Sequence, residues 1–284
     1  MVAIAFALGS SLLWGLSDYL GGFKSRTFAV PVVLAAMYLS SLLVMAVFVG
    51  MRGEAPPSSS HVLAALGAGV VGIMALGAFY TALSIGTMSI VAPISASGVA
   101  LPVIVGLIGG DNPGALRSAG LALAVVGIVL ASREAPGGPI GVREQRLSIG
   151  LAILAGFGFG SYFVLAEIGS EGDVAWTLLL SRVMGFPIVF LIALLALRRA
   201  NAARPNLRAA AALGGIGLLD LGANAFYNHA STIGELSSVS VASSLYPVVT
   251  VMLAALLLGE RVRGAQRAGV VVALAGVLMI AAGA

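Results

Sequence analysis

Residues 78–86 read AFYTALSIG, and residues 225–234 read AFYNHASTIG, one residue longer. Downstream of the first string, TMSIVAPISAS at 87–97 is answered by ELSSVSVASS at 235–244, and Pro102 and Pro247 follow in matching places. Further on, Gly110-Asp111 pairs with Gly259-Glu260, Ala119-Gly120 with Ala268-Gly269, and Gly127 with Gly276. Upstream, Trp14-Gly15 pairs with Phe159-Gly160. Each match is weak alone, because glycine and alanine are common in this chain. Their shared order along two stretches of about 140 residues identifies an internal repeat.

Outward from these strings, ten apolar segments follow one another, roughly at 3–22, 30–50, 62–84, 87–109, 115–133, 148–169, 174–197, 208–232, 236–258 and 264–283. About 20 mostly apolar residues carry a helix across a hydrocarbon layer ~30 Å thick. Runs this long and unbroken exclude the alternating strands of a membrane barrel. The expected fold class is therefore all-α, a membrane protein with ten transmembrane helices. Five spans per repeat is an odd number, so a chain that passes straight through carries its second copy upside down. The expected organisation is two inverted five-helix repeats, residues 1–134 and 148–284, around a central cavity, with a Gly/Pro-rich charged connection at 135–147. In transporters built this way, solute binds near the bilayer midplane where the repeats meet.

Composition agrees. Hydrophobic residues make up 60% of the 284 and charged residues only 9%, with a mean hydropathy of +1.08, far from the roughly 25% charged share of soluble domains. The net charge of +4 and a pI near 9.9 do not point to nucleic acid, because the arginines lie in spacers between apolar runs with no aromatic interleaving. The absence of cysteine removes disulfides, thiolate metal sites and a thiol nucleophile, and two histidines are too few for a metal cluster. Met1 runs straight into VAIAFALGSSLLWGL with no basic leader or cleavage site, which reads as a retained first span.

The stretch from Ser237 to Ile280, SSVSVASSLYPVVTVMLAALLLGERVRGAQRAGVVVALAGVLMI, resembles the ending of an EamA domain of the drug/metabolite transporter superfamily. Pro247, the Gly259-Glu260-Arg261 turn, Gly269 and Gly276 carry the resemblance, which extends over the chain as two copies. The first copy departs from the pattern, with Gly110-Asp111-Asn112 in place of Gly-Glu-Arg. The resemblance implies ten helices around a central cavity and export of amino acids or other metabolites, with lipid-linked or nucleotide-linked sugars as the other reading. It implies a small-molecule substrate, no cofactor, no nucleic acid, and a bacterial inner membrane.

Charge sets the expected orientation. Of the 15 basic residues, Arg182 is inside a span, Arg52 and Arg117 fall in loops on one side, and all the others, Lys24 to Arg267, fall on the opposite side. Short loops rich in Lys and Arg stay in the cytoplasm, which puts both termini in the periplasm.

Ionisable residues inside spans are costly unless paired or wetted, so each is a candidate. Asp220, Asn224, Asn228 and Ser231 recur along one stripe of the eighth span, with Tyr227 beside it. Arg182 in LLLSRVMGF of the seventh span suits a substrate carboxylate through its forked donors, or simply pairs with Asp220 or Glu167. His229, Glu167 and Asp18 fall nearer span ends, where a polar head reaches the interface cheaply. Trp14 lies inside the first span on a face shared with Ser10 and Ser17, placed to stack on an apolar substrate group or to pack. Tyr80 and Tyr227 occupy corresponding repeat positions, as do Phe79 and Phe226. Tyr162 and Tyr246 are further wall candidates. Pro102 and Pro247, expected within spans, are candidate gate hinges or plain bends. Ser237, Ser240 and Ser244 trace a small polar face on the ninth span. The strip Ala265, Gly269, Ala273 on the tenth suits close helix packing, and a monomer or a homodimer through that helix is expected.

Catalysis has no support in the residues. GFGFGSY at 156–162 is not a G-x-S-x-G elbow, no H-E-x-x-H zinc motif occurs, and no phosphate-binding loop is present to couple transport to ATP.

Overall fold

A computed structural model describes residues 2–110, 114–131, 141–198, 203–259 and 264–282. The Asp111-Asn112 and Glu260-Arg261 pairs, residues 135–140 of the connection, and Arg133, Arg199 and Arg263 lie outside the described residues. Twelve helices are described: α1 (Val2–Lys24), α2 (Val30–Arg52), α3 (Ser59–Ile85), α4 (Met88–Ala96), α5 (Ala100–Ile108), α6 (Gly114–Ala131), α7 (Val142–Gly172), α8 (Val174–Leu197), α9 (Leu207–Ile233), α10 (Leu236–Ser243), α11 (Tyr246–Leu257) and α12 (Ala265–Ala282). No strand occurs among the described residues. Among the described residues, eight segments are long and apolar enough to cross a membrane: α1, α2, α3, Met88–Ile108, α7, α8, α9 and Leu236–Leu257. The remaining helices, α6 and α12, have 18 residues each.

Helix ends follow local chemistry. Pro31 opens α2, where a missing N–H costs nothing, and Gly53 closes it at φ 64, a conformation that glycine adopts without strain. Asp173 and Asn206 cap α8 and α9, each side chain accepting from a backbone N–H, of Trp176 and Ala209 respectively.

Two segments are broken rather than continuous. A 3-10 turn at Ser97–Val99 separates α4 from α5, and a turn at Ser244 and Leu245 separates α10 from α11. Pro102 and Pro247, expected to bend helices from within, instead stand near the start of the second half-helix in each case. The reason is the missing proline N–H, which is harmless in a first turn and disruptive further in.

The distribution of polarity departs from that in a soluble protein: beside an apolar core, polar side chains are buried and large apolar ones face outward. Ser10, Ser17, Arg182, Asn228 and Thr250 are buried, while Leu43, Val47, Met74, Phe157 and Leu191 are exposed. So much outward apolar surface is stable only in a hydrocarbon solvent.

The halves interlock. The helix α1 packs on α9, α10 and α11, while α7 packs on α3, α4 and α5; α2 packs on α8 and α9, and α6 on α12. Small residues permit the closest approaches. A side chain on Gly98, in the 3-10 turn, would collide with the Gly156 backbone, and one on Gly15 would meet the Tyr246 carbonyl oxygen at 2.7 Å. On α12, Gly269 and Gly276 are buried, as are Gly120 and Gly127 on the adjoining α6. The Gly269 strip thus has a partner within the chain; the side chains of Ala265 and Ala273 lie outside the described residues.

Candidate functional site

Between α1, α2, α3, α7, α8, α9 and α11 lies a cavity of about 500 Å³, counting its mouth. Its walls are Trp14 and Asp18 from α1, Tyr38 from α2, Gly72 and Leu76 from α3, and Phe159, Tyr162 and Phe163 from α7. Arg182, Asp220, Asn224 and Tyr246 complete it. Most of these positions fall well inside their helices, and Tyr246 stands at the break between α10 and α11, midway along Leu236–Leu257, so the cavity sits at mid-depth.

One polar network crosses it. The Arg182 Nη2 donates to Asp220 Oδ2 at 2.9 Å, and Nη1 donates to Ser181 Oγ at 3.2 Å. The guanidinium lies over the Tyr38 ring, 5.0 Å from its centroid, an arrangement that favours a delocalised cation on an aromatic face. Asn224 Nδ2 donates to the Asp220 carbonyl oxygen at 2.6 Å, and the Tyr162 hydroxyl donates to Asn224 Oδ1. Arg182 is 2% exposed and Asp220 7%, so neither charge would be tolerated without the other.

Aromatic rings form the rest. Trp14 lies 5.6 Å from Phe163 and 5.7 Å from Tyr227, and Phe163 stacks on Tyr227 at 4.6 Å. The Tyr246 hydroxyl shares a hydrogen bond with Ser95 Oγ at 3.2 Å, linking α11 to α4. The cavity therefore offers flat apolar walls and a few oriented polar groups, suited to holding a small solute with an apolar part.

A second polar cluster lies at the turn between α7 and α8. Arg52 reaches Asp173 at 3.0 Å and 2.8 Å through two nitrogens, and also pairs with Glu54. Partial burial would raise the Asp173 carboxyl, but the Arg52 hydrogen bonds and the Trp176 backbone N–H outweigh it and hold the group below its usual range.

The EamA-like transporter family matches this sequence twice, over residues 1–133 and 146–282. The chain belongs to the EamA-like transporter family. Membership makes it a membrane transporter of small solutes. No curated protein matches the sequence. One solved crystal structure, described only as that of a protein, shares the fold of this EamA-like chain with a TM-score of 0.66. That match has 16% identity and covers 98% of this chain and 96% of the other.

Of the residues singled out in the sequence of this EamA-like protein, Trp14, Tyr162, Arg182, Asp220, Asn224 and Tyr246 come together in the cavity. Three others do not line it. The Tyr80 hydroxyl donates to the Ser17 carbonyl oxygen at 3.3 Å, tying α3 to α1. The Tyr227 hydroxyl donates to the Phe163 carbonyl oxygen at 3.4 Å and lies 3.1 Å from Ser240 Oγ, tying α9 to α7 and α10. Asn228 is buried, and its side-chain amide finds no partner among the described residues. Phe79 is buried in the core, whereas its repeat counterpart Phe226 is partly exposed against Gly9. His229 is exposed with its ring edge on Phe6 at 4.8 Å, and Glu167 is half-buried.

Asp18 differs most from expectation. Its place near the end of the first apolar run suggested an interfacial carboxylate, but α1 continues to Lys24 and Asp18 is 5% exposed on the cavity wall. The readable signal was its spacing of four from Trp14, which puts both on one helix face. Tyr38 carried no such signal, because nothing else in α2 marks it and its partner Arg182 lies on α8.

Proposed function

We propose that this chain is a secondary transporter that exports small polar metabolites, foremost amino acids with apolar or aromatic side chains, by alternating access. The observation that carries this reading is the mid-depth cavity. A charged pair, an amide and tyrosine hydroxyls face aromatic walls there, inside helices whose outer surfaces are apolar. Trp14, Tyr162, Arg182, Asp220, Asn224 and Tyr246 are the proposed contact residues, and Tyr80 and Tyr227 hold the surrounding helices.

The proposed frame is ten spans in two inverted repeats, with α6 and α12 as the fifth and tenth. Several observations support it: the breaks before Pro102 and Pro247, the reciprocal packing of α1 and α7 onto the opposite half, and the matching roles of Tyr80 and Tyr227. The broken segments are the proposed gates, since a two-piece helix can swing about its turn while each piece keeps its hydrogen bonds. The proposed location is a bacterial inner membrane with both termini periplasmic, and the proposed partners are the solute and lipid, with one chain or a pair of chains as the unit. No catalytic step is proposed.

Export of nucleotide-linked sugars is less well supported, because a pyrophosphate calls for several free cations and Arg182, deep in the cavity, is engaged by Asp220. The test is flux in liposomes containing the purified protein, with a radiolabelled pool of amino acids and a parallel panel of sugars. Amino-acid flux above that of empty liposomes is expected. Flux of sugars alone would overturn the substrate, and no flux of either would overturn the function.

A further inference from the structure

Most donors around the cavity are already committed. Arg182 serves Asp220 and Ser181, the Asn224 amide serves the Asp220 carbonyl, the Tyr162 hydroxyl serves Asn224, and the Tyr246 hydroxyl is shared with Ser95. The Arg182 Nε is buried without a partner among the described residues. One acidic group is likewise unengaged. Asp18 is 5% exposed and lines the same cavity, yet its carboxylate meets no hydrogen-bond donor and no cation among the described residues. Its oxygens keep access to the cavity rather than being sealed in packing. With Arg182 and Asp220 cancelling one another, Asp18 leaves the cavity with one unmatched carboxyl group.

A carboxylate kept in low dielectric without a partner is expensive to ionise. It is tolerated where a charge that arrives and leaves completes it. The repeat makes the same point, because the Trp14–Phe159 correspondence sets Asp18 opposite Phe163. A carboxylate required by the architecture would recur, and this one has an aromatic ring as its counterpart.

We infer that Asp18 is the counter-ion for a protonated amine on the transported solute, so that the cavity selects ammonium-bearing molecules with an apolar or aromatic body and rejects anions that lack an amine. Trp14, one helical turn away, and Phe159 and Phe163 opposite supply the surface for the apolar body, and aromatic faces also favour a nearby cation. Recognition is then of the ammonium end, and a carboxylate on the same molecule adds little.

This inference rests on the cavity being the transport site, so binding is measured without flux. The full chain in detergent, with Trp176→Phe leaving Trp14 as the sole tryptophan, is titrated with phenethylamine, 2-phenylethanol and 3-phenylpropanoate, which differ only in the polar end. Trp14 fluorescence reports occupancy, and thermal melting reports folding. Phenethylamine should bind at least about tenfold more tightly than 2-phenylethanol, with 3-phenylpropanoate weakest, the difference expected of one charge-assisted contact. Asp18→Asn should erase the preference for the amine while leaving 2-phenylethanol unchanged, and Asp18→Glu should keep it. A preference that survives Asp18→Asn, or tighter binding of 3-phenylpropanoate, overturns the inference. Asp18-dependent amine binding by a protein without flux would instead remove the transport reading alone.

Discussion

Arg182 and Asp220 meet through one nitrogen and one oxygen, Nη2 and Oδ2 at 2.9 Å, rather than through both arms of the fork. The guanidinium has its face on Tyr38 and another nitrogen on Ser181, which leaves the pair one-armed. Arg182→Gln or Asp220→Asn strands the other charge in a buried site and should destabilise the protein by roughly 3–5 kcal/mol. The double variant should recover most of the melting temperature but not the flux, because the cavity then lacks its oriented dipole. Thermal melting in detergent beside liposome flux decides it: full flux in the double variant would make the pair purely structural.

The tyrosines should divide into two classes. Removing the Tyr80 or Tyr227 hydroxyl, by substitution with Phe, should reduce stability by about 0.5–1.5 kcal/mol, the worth of a buried hydrogen bond, and leave solute preference alone. Tyr162→Phe and Trp14→Ala should alter preference, with Trp14→Ala losing up to about tenfold for aromatic solutes if a stacked ring contributes 0.5–1.5 kcal/mol. Competition assays with aromatic and aliphatic solutes check both classes, and a change of preference in Tyr80→Phe would contradict the division.

Gly98→Ala should be more damaging than its size suggests. The added methyl would strike the Gly156 backbone, which cannot rotate away as a side chain would. Either the 3-10 turn or α7 must then shift, and overpacking of this kind costs about 1–3 kcal/mol. Gly50→Ala, where nothing lies within 4 Å, is the control and should be neutral or slightly stabilising. Melting temperatures of the two variants test the contrast.

At the α7–α8 turn, stability should fall with acid. The folded Asp173 carboxyl titrates below its usual range, so its contribution is complete above the unfolded value of about 3.9 and disappears as pH drops through the lower folded value. The effect is small, because the pair is partly exposed and screened by salt. Asp173→Asn should flatten the acid limb of the melting curve and make what remains insensitive to salt; an unchanged acid limb would mean that other groups govern it.

Orientation is open to a fusion test. Under the proposed orientation, a carboxy-terminal alkaline phosphatase fusion should be active and a green fluorescent protein fusion dark. The opposite pair of results would turn the transporter over and reverse the side from which each half-helix opens.

Much of the fold was legible because hydrocarbon imposes simple demands: backbone bonds must close within each segment, and apolar runs of fixed length result. Trp14 and the Asp220–Asn224 stripe were legible for the same reason, since polar and amphipathic residues in apolar runs must face one another. What escaped was depth and partnership. The end of α1 could not be placed within a turn from composition, and that one turn separates an interfacial Asp18 from a cavity-lining one. Tyr38 and the fastening roles of Tyr80 and Tyr227 depend on which helices touch, and the repeat does not encode those contacts locally. The breaks before Pro102 and Pro247 escaped because proline marks a bend without saying on which side the chain gives way.

The exchange of first helices between halves has a consequence for how the protein is made. The Gly15 face of α1 is covered by Tyr246 and Val249, residues that leave the ribosome more than 200 positions later. Until α9, α10 and α11 follow, the polar flank carrying Ser10, Trp14 and Asp18 lacks most of its cover within the chain. A chain stopped at the connection would hold that flank open indefinitely, and quality-control proteases of the membrane would find it there. Assembly is thus committed late, by the arrival of α9 to α11.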